Sequence, residues 1–279
     1  NQQGQNWSQP PWHPGRLADL GYAPFRDMLR TILRHAGGIR VDHVLGLFRL
    51  WWVPQGRSAD QGAYVYYDHD ALVGILCLEA QRAGAVVIGE DLGTFEPWVR
   101  DFLASRGLLG TSILWFEYQD GAPMPPEHYR TACLASVNTH DLPPTAGYLD
   151  GVHVDLRAEL GLLSRPVEVE READRVEQER ILSMCRERNL LAPEGEATDV
   201  AKVESLYRLL AAAPSLMQGV ALVDAVGETR VQNQPGTDEE YPNWRIPLAD
   251  NDGRVVFVEE LADHPRVKSL FKAVHESLG

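Results

Sequence analysis

Three times along this chain an apolar run gives way abruptly to carboxylates and amides, and that repeated junction limits the folds open to it. The first is Ile39-Arg40-Val41-Asp42-His43, which alternates apolar and charged residues before a turn at Gly46. The second, Ala85-Val86-Val87-Ile88-Gly89, leads into Glu90-Asp91; the third, Ala132-Cys133-Leu134-Ala135-Ser136-Val137, leads into Asn138-Thr139-His140-Asp141. Short apolar runs bounded by glycine and polar clusters are the pattern of buried strands. Each of these strands delivers a carboxylate at its end, and the three are expected to share one rim.

Helical patterns lie between the strands. Phe25, Met28, Leu29, Ile32 and Leu33 recur at three- and four-residue steps until Gly37-Gly38. A second helix is predicted from Asp70 to Ala83 on Leu72, Leu76 and Ala80, and a third begins near Glu96-Pro97, where proline suits a first turn. Residues 111–118 and 219–224 are further strand candidates, which brings the count to five. The aromatic cluster of Phe48, Trp51 and Trp52 reads as core. Residues 152–213 read as helical throughout, with one stripe on Val169, Ala173, Val176, Ile181 and Met184 and a tighter one on Val203, Leu206, Leu209 and Leu210. A last helix carries Val267, Leu270, Phe271, Val274 and Leu278.

Strand, loop, helix, strand, with polar signals at the strands' carboxyl ends, is the order of a parallel α/β architecture. No GxGxxG turn joins a strand to a helix, so a dinucleotide site is not expected. The fold class expected is α/β, a (β/α)8 TIM barrel of which this chain supplies about strands 4–8. Residues 1–279 would then be the C-terminal part of a catalytic barrel, with 152–213 a helical insertion before its last strand. The chain opens on Asn1 without methionine, and the missing N-terminal barrel strands are expected as its partner. Without them two strand edges would lie open, and little or no activity is expected of residues 1–279 alone.

The 279 residues carry a net charge of −14, which disfavours nucleic acid or an anionic membrane as partner. Cys77, Cys133 and Cys185 lie far apart in apolar or helical stretches and read as reduced thiols of a cytoplasmic protein. No apolar run approaches the ~18 residues of a membrane span. No metal is expected, since His43 and His140 lack close-spaced ligand companions. No GxSxG elbow supports serine hydrolysis.

Asp42, Glu90 and Asp141 in one pocket could not all ionise at ordinary values, because like charges at short range raise at least one of them. One acid that keeps its proton beside one that stays ionised is what cleaving a glycosidic bond requires. Arg40, two residues before Asp42 on the same strand face, is placed to keep that carboxylate charged. The amide- and indole-rich opening segment, with Gln5 and Trp7, reads either as a disordered terminus or as a sugar-binding loop.

At these residues the chain resembles the 4-α-glucanotransferases (amylomaltases, glycoside hydrolase family 77). Residues 39–47 with Trp51-Trp52-Val53-Pro54 resemble that family's nucleophile strand, Gly89-Glu90-Asp91-Leu92-Gly93 its acid/base segment, and Asn138-Thr139-His140-Asp141 its third carboxylate segment. Gly4-Gln5-Asn6-Trp7 is similar to its loop over the substrate groove. Gly227-Glu228-Thr229, Asn233-Gln234-Pro235-Gly236-Thr237 and Tyr241-Pro242-Asn243-Trp244-Arg245 are similar to the segment after its last strand. One departure is Pro144, an additional proline after the tetrad.

The resemblance implies a retaining double displacement on a maltooligosaccharide or α-glucan, with no cofactor. Asp42 would be the nucleophile and Glu90 the acid/base, their carboxyl groups ~5–5.5 Å apart. Asp141 would stabilise the distorted sugar, and Arg40, His43, His140, Gln5, Trp7 and Asn233 would bind substrate. Two alternatives carry different consequences: an α-glucan hydrolase or debranching-type enzyme, and a non-catalytic carbohydrate-binding fragment.

Overall fold

The computed structural model describes residues 6–279. The chain divides into two compact units, Asn1–Thr111 and Ser112–Gly279.

The first unit opens with helices α1 (Pro14–Asp19) and α2 (Ala23–Leu33), followed by strand β1 (Gly38–Val41). In α2 only part of the expected stripe is inside: Phe25, Leu29 and Leu33 are buried, whereas Met28 and Ile32 are exposed. Strands β2 (Arg49–Trp52) and β3 (Ala63–Tyr66) then form an antiparallel hairpin that the sequence pattern did not announce. Of the aromatic cluster expected in the core, Phe48 is buried, but Trp51 and Trp52 are only half-buried on this hairpin.

Helix α3 (His69–Ala83) starts where the Asp68 carboxylate accepts the Ala71 N–H, and it stops at Gly84 in the left-handed region. Its face of Leu72, Val73, Leu76 and Ala80 is buried with the α2 residues and Val87. Glu79 is buried in α3 because two guanidiniums meet it: Arg30 at 2.8 and 3.0 Å and Arg82 at 2.7 Å. Strand β4 (Val86–Gly89) pairs in parallel with β1, Val41 opposite Gly89, and helix α4 (Trp98–Ser105) follows. Leu109 continues the parallel pairing through a bridge to Ile88.

Strand β5 (Gly110–Ile113) carries the chain into the second unit, and β6 (Tyr118–Gln119) and β7 (Ala122–Pro123) form a small hairpin there. The strand expected over 111–118 is thus cut short, because Leu114–Phe116 turn into a 3-10 helix that buries Leu114 and Trp115. Strand β8 (Cys133–Ser136) and β9 (Met217–Gly219) run parallel, in the sheet order β5–β8–β9. Between them lie α5 (Thr145–Leu149), α6 (Val152–Glu159), α7 (Val167–Glu187) and α8 (Asp199–Leu210).

Residues 152–213 are therefore mainly helical, as expected, but not throughout, since two breaks separate α6, α7 and α8. Gly161 and Gly195 take positive φ in the two breaks, and Pro166 and Pro193 lie beside them. Only part of the stripe expected on α7 is inside, with Ile181 buried and Met184 packed against the core. Val169 and Val176 are exposed, while Ile181, Leu182 and Cys185 are buried with Glu170 and Gln178. Glu170 is paired with Arg165 at 2.8 and 2.9 Å, and Gln178 donates to the Tyr148 carbonyl at 2.8 Å, so polar partners brought these two inside.

The strand expected over 219–224 is also corrected. β9 ends at Gly219, and α9 (Leu222–Val226) is a short helix that Gly227, at φ 84°, terminates. Leu222 stays 48% exposed, so the apolar run is not a buried strand. Helix α10 (Pro265–Leu278) closes the chain with Val267, Leu270 and Val274 buried, whereas Phe271 and Leu278 are exposed. Among the described residues no helix is long and apolar enough to cross a membrane.

Candidate active site

In the first unit, parallel pairing decides what stands next to what. With Val41 opposite Gly89, the next residues on the two strands are Asp42 and Glu90, which leave adjacent strand ends. The backbone then locks the junction: Glu90 N–H donates to the Val41 carbonyl at 2.9 Å, and Val44 N–H donates to the Glu90 carbonyl at 3.0 Å. His43 adopts φ 45°, a left-handed conformation uncommon for a residue with a side chain. In that turn its N–H donates to Glu90 Oε2 at 2.9 Å, and Leu92 N–H donates to Oε1 at 2.7 Å.

Glycine at 89 lets the turn close. A Cβ there would lie 2.9 Å from the Val44 side chain. The Glu90 carboxylate is buried and oriented by main chain on both oxygens, while the Asp42 side chain is 67% exposed. Arg40 Nη1 lies 2.5 Å from Asp42 Oδ1, as the two-residue strand period predicts. Trp7 meets the His43 ring edge-on at 5.1 Å between centroids. Gln5 lies outside the described residues. Asp91, beside Glu90, faces inward instead: its carboxylate accepts the Thr111 N–H at 2.9 Å and lies 3.4 Å from Arg100 Nε.

The second unit holds Asp141. Asn233 Nδ2 donates to its Oδ1 at 2.6 Å, and His140 Nε2 lies 3.3 Å from Oδ2. The His140 ring tilts against Trp244, 5.3 Å away. The tetrad splits into two jobs. Asn138 is buried and Thr139 Oγ1 accepts the Asp141 N–H at 3.2 Å, which leaves His140 and Asp141 with partly exposed side chains.

Asn138 is held by a group that sequence reasoning passed over. Asp224, 2% exposed, accepts from Asn138 Nδ2 at 3.0 and 3.1 Å, from Thr145 N–H at 2.7 Å and hydroxyl at 2.6 Å, and from Tyr207 at 2.7 Å. Burial pushes its carboxyl above the ordinary aspartate range, against the opposing pull of these hydrogen bonds. Its signal was an acidic residue ending the apolar run 219–224, read there as a strand end. Pro144, the departure from the family pattern, occupies the N-cap of α5, directly before Thr145.

Four residues after Asp224, buried Glu228 accepts the N–H groups of Thr229, Arg230 and Ala249 at 2.9–3.0 Å and pairs with the Arg230 guanidinium at 2.7 Å. Two buried carboxylates at either end of a helical turn thus brace the segments that bear Asp141 and Asn233. The structure therefore gathers Arg40, Asp42, His43, Glu90 and Trp7 in one unit, and His140, Asp141 and Asn233 in the other.

Parallel strands with carboxylates at their ends, joined through helices, define an α/β protein with acidic chemistry at the strand termini. The family model described as 4-alpha-glucanotransferase, glycoside hydrolase family 77, matches residues 1–251. A 4-alpha-glucanotransferase of Mycobacterium tuberculosis is 56% identical over 98% of this chain and 38% of its own length. One of Haemophilus influenzae is 37% identical over 88% of this chain and 36% of its own. The crystal structure of amylomaltase from Corynebacterium glutamicum superposes with a TM-score of 0.94 at 52% identity, over 98% of this chain and 40% of that one.

Amylomaltase from Streptococcus agalactiae in complex with acarbose, at 18% identity and a TM-score of 0.71, shares the fold. The chain belongs to glycoside hydrolase family 77, the 4-alpha-glucanotransferases. It spans about two fifths of the length of the curated relatives it matches, and its fold is correspondingly a part of the amylomaltase TIM barrel.

Proposed function

We propose that this chain is the catalytic-residue-bearing part of a 4-α-glucanotransferase that moves α-1,4-glucan segments between maltooligosaccharides. In this reading it contributes strands 4–8 of the barrel (β1, β4, β5, β8 and β9), residues 152–213 form a helical insertion, and the rest of the barrel is its partner. The observation that supports it most is the β1/β4 junction, where main-chain N–H groups on both oxygens aim Glu90 beside the end of the strand that bears Asp42.

Asp42 attacks the anomeric carbon as the C–O bond to the leaving sugar breaks, and a covalent glycosyl–enzyme forms. Arg40 pairs with that carboxylate and orients it. Glu90 gives its proton to the departing oxygen, then takes one from the incoming sugar hydroxyl as the second displacement releases Asp42. Asp141, held by Asn233 and His140, accepts hydrogen bonds from the sugar's hydroxyls, which strengthen in the oxocarbenium-like state. Trp7 and Gln5 bind the sugar chain and exclude water, which favours a sugar hydroxyl over water as acceptor. The three cysteines are free, as suits a cytoplasmic protein.

Maltotriose given to the complete enzyme tests the reaction class. Glucose together with maltopentaose and longer chains, at constant reducing ends, is the outcome expected. Shortened products with a matching rise in reducing ends would replace transfer by hydrolysis.

A further inference from the structure

In the second unit, a single loop supplies side chains to both His140 and Asp141. Asn233, near its start, reaches Asp141 at 2.6 Å, and the Trp244 ring, near its end, faces the His140 ring at 5.3 Å. The loop belongs to the irregular stretch between α9 and α10. Such a stretch has no ladder of main-chain bonds to hold its two ends in register, so side chains must do it. We propose that Asn243 is a positioning residue: its amide clasps the two ends of the loop together and so sets how Asn233 meets Asp141 and Trp244 meets His140. The inference rests on the glucanotransferase reading above and adds to it a residue that acts through others.

The Asn243 side chain closes the loop in two places. Its Oδ1 accepts the Gln234 N–H at 2.7 Å, directly after Asn233, and its Nδ2 donates to Thr237 Oγ1 at 2.9 Å. Thr237 Oγ1 in turn donates to the Gln234 carbonyl at 2.8 Å, and the Thr237 N–H donates to the same oxygen at 3.3 Å. Inside this ring sit Pro235 and Gly236, the latter at φ 89°, the residue order that a type II turn favours. Gln234 is buried, and without the Asn243 oxygen its N–H would lose its partner there. An acceptor and a donor on one short planar group are needed, which an amide provides and a carboxylate does not.

The next residue carries the second clamp. Trp244 takes φ 60°, a left-handed conformation that a bulky residue rarely adopts. Its N–H donates to the Gln232 carbonyl at 3.0 Å, and the Arg245 N–H donates to the Pro242 carbonyl at 3.0 Å. The Tyr241 hydroxyl adds a further tie, to the Val231 carbonyl at 2.6 Å. Strain of this kind persists only where the surroundings over-determine it. Gln232 and Gln234 are the two neighbours of Asn233, so the bonds from Trp244 and Asn243 fall on either side of it and fix the direction in which its side chain leaves the loop. Direction matters here, because misplacing a group by about 1 Å can cost about a hundredfold in rate.

Asn243→Ala in the complete enzyme, with maltotriose as substrate, tests this. Its kcat is expected to fall about tenfold with KM within about twofold of wild type, the pattern of an interaction made in the transition state. In an enzyme that already carries Asn233→Ala and Trp244→Ala, the same substitution is expected to change kcat by less than about twofold, because nothing is left for Asn243 to position. A fall of equal size in the two backgrounds, or none in the wild-type background, overturns the positioning role. Should Asn243→Ala not fold, Thr237→Val removes the oxygen that links Asn243 to the Gln234 carbonyl, and the same contrast between backgrounds is expected at about threefold. A wild-type enzyme that transfers nothing from maltotriose refutes the glucanotransferase reading instead, and crystal structures then judge the clasp. Asn233 Nδ2 is expected beyond about 3.5 Å from Asp141 Oδ1 in Asn243→Ala, and a hydrogen bond preserved between them overturns the inference.

Discussion

At the scale of single residues, Asp42 in the first unit and Asp224 in the second are treated differently by their surroundings, and that difference sets what each substitution does. Asp42 is exposed and pairs with Arg40, so Asp42→Asn removes a charge without emptying the core. On the proposed reading, this variant of the complete enzyme is expected to retain the wild-type thermal midpoint while kcat for maltotriose falls about a thousandfold or more, equivalent to about 4 kcal/mol of barrier. Asp224 is the converse case. Asp224→Asn keeps the volume but turns an NH2 toward the amide, hydroxyls and main-chain N–H that the carboxylate now accepts. Urea unfolding should show a loss of about 2–4 kcal/mol, because buried donors are left unmatched.

Among elements, the positions that matter are those where two segments come too close for any other side chain. Gly147 in α5 packs against the Thr229 carbonyl, which a Cβ would approach to 2.1 Å. Gly147→Ala should therefore destabilise by about 1–3 kcal/mol, measured by denaturant unfolding, although alanine is the better helix former. The end of α7 is tied down electrostatically. Arg188 donates to Glu127 at 2.9 Å and lowers its pKa to about 2 from 4.5. A depressed carboxylate stabilises the fold above its unfolded value, and that contribution disappears as pH falls from about 4.5 through about 2. The thermal midpoint of wild type should exceed that of Glu127→Gln at neutral pH, and the gap should close across that window; an unchanging gap would refute the linkage.

For the whole molecule, each of the two units has its own buried core, and each ends its parallel sheet on a strand with a partner on one side only among the described residues: β1 on β4, and β9 on β8. Such edges are templates for further strands. The relatives are more than twice as long as this chain. Residues 1–279 alone are accordingly expected to give no product from maltotriose by chromatography, and robust turnover by them would disprove the need for the rest of the barrel.

Much of this was legible in the residues themselves. Short apolar runs placed β1, β4 and β8, Gly37-Gly38 marked the stop after α2, and the polar residues after each strand made Asp42, Glu90 and Asp141 candidates, because strand period and glycine's backbone freedom are local properties. Local pattern failed where distant partners decided. Glu170 and Gln178 went inside α7, against their polarity, because Arg165 and the Tyr148 carbonyl were there to meet them. Asp224 became a helical hub instead of a strand end because Asn138, Thr145 and Tyr207 converge on it from three separate segments. Sequence alone determined which carboxylates stand at the ends of parallel strands. Tertiary structure decided which polar groups could be buried, since a hydrogen-bond partner far along the chain is invisible to any periodicity.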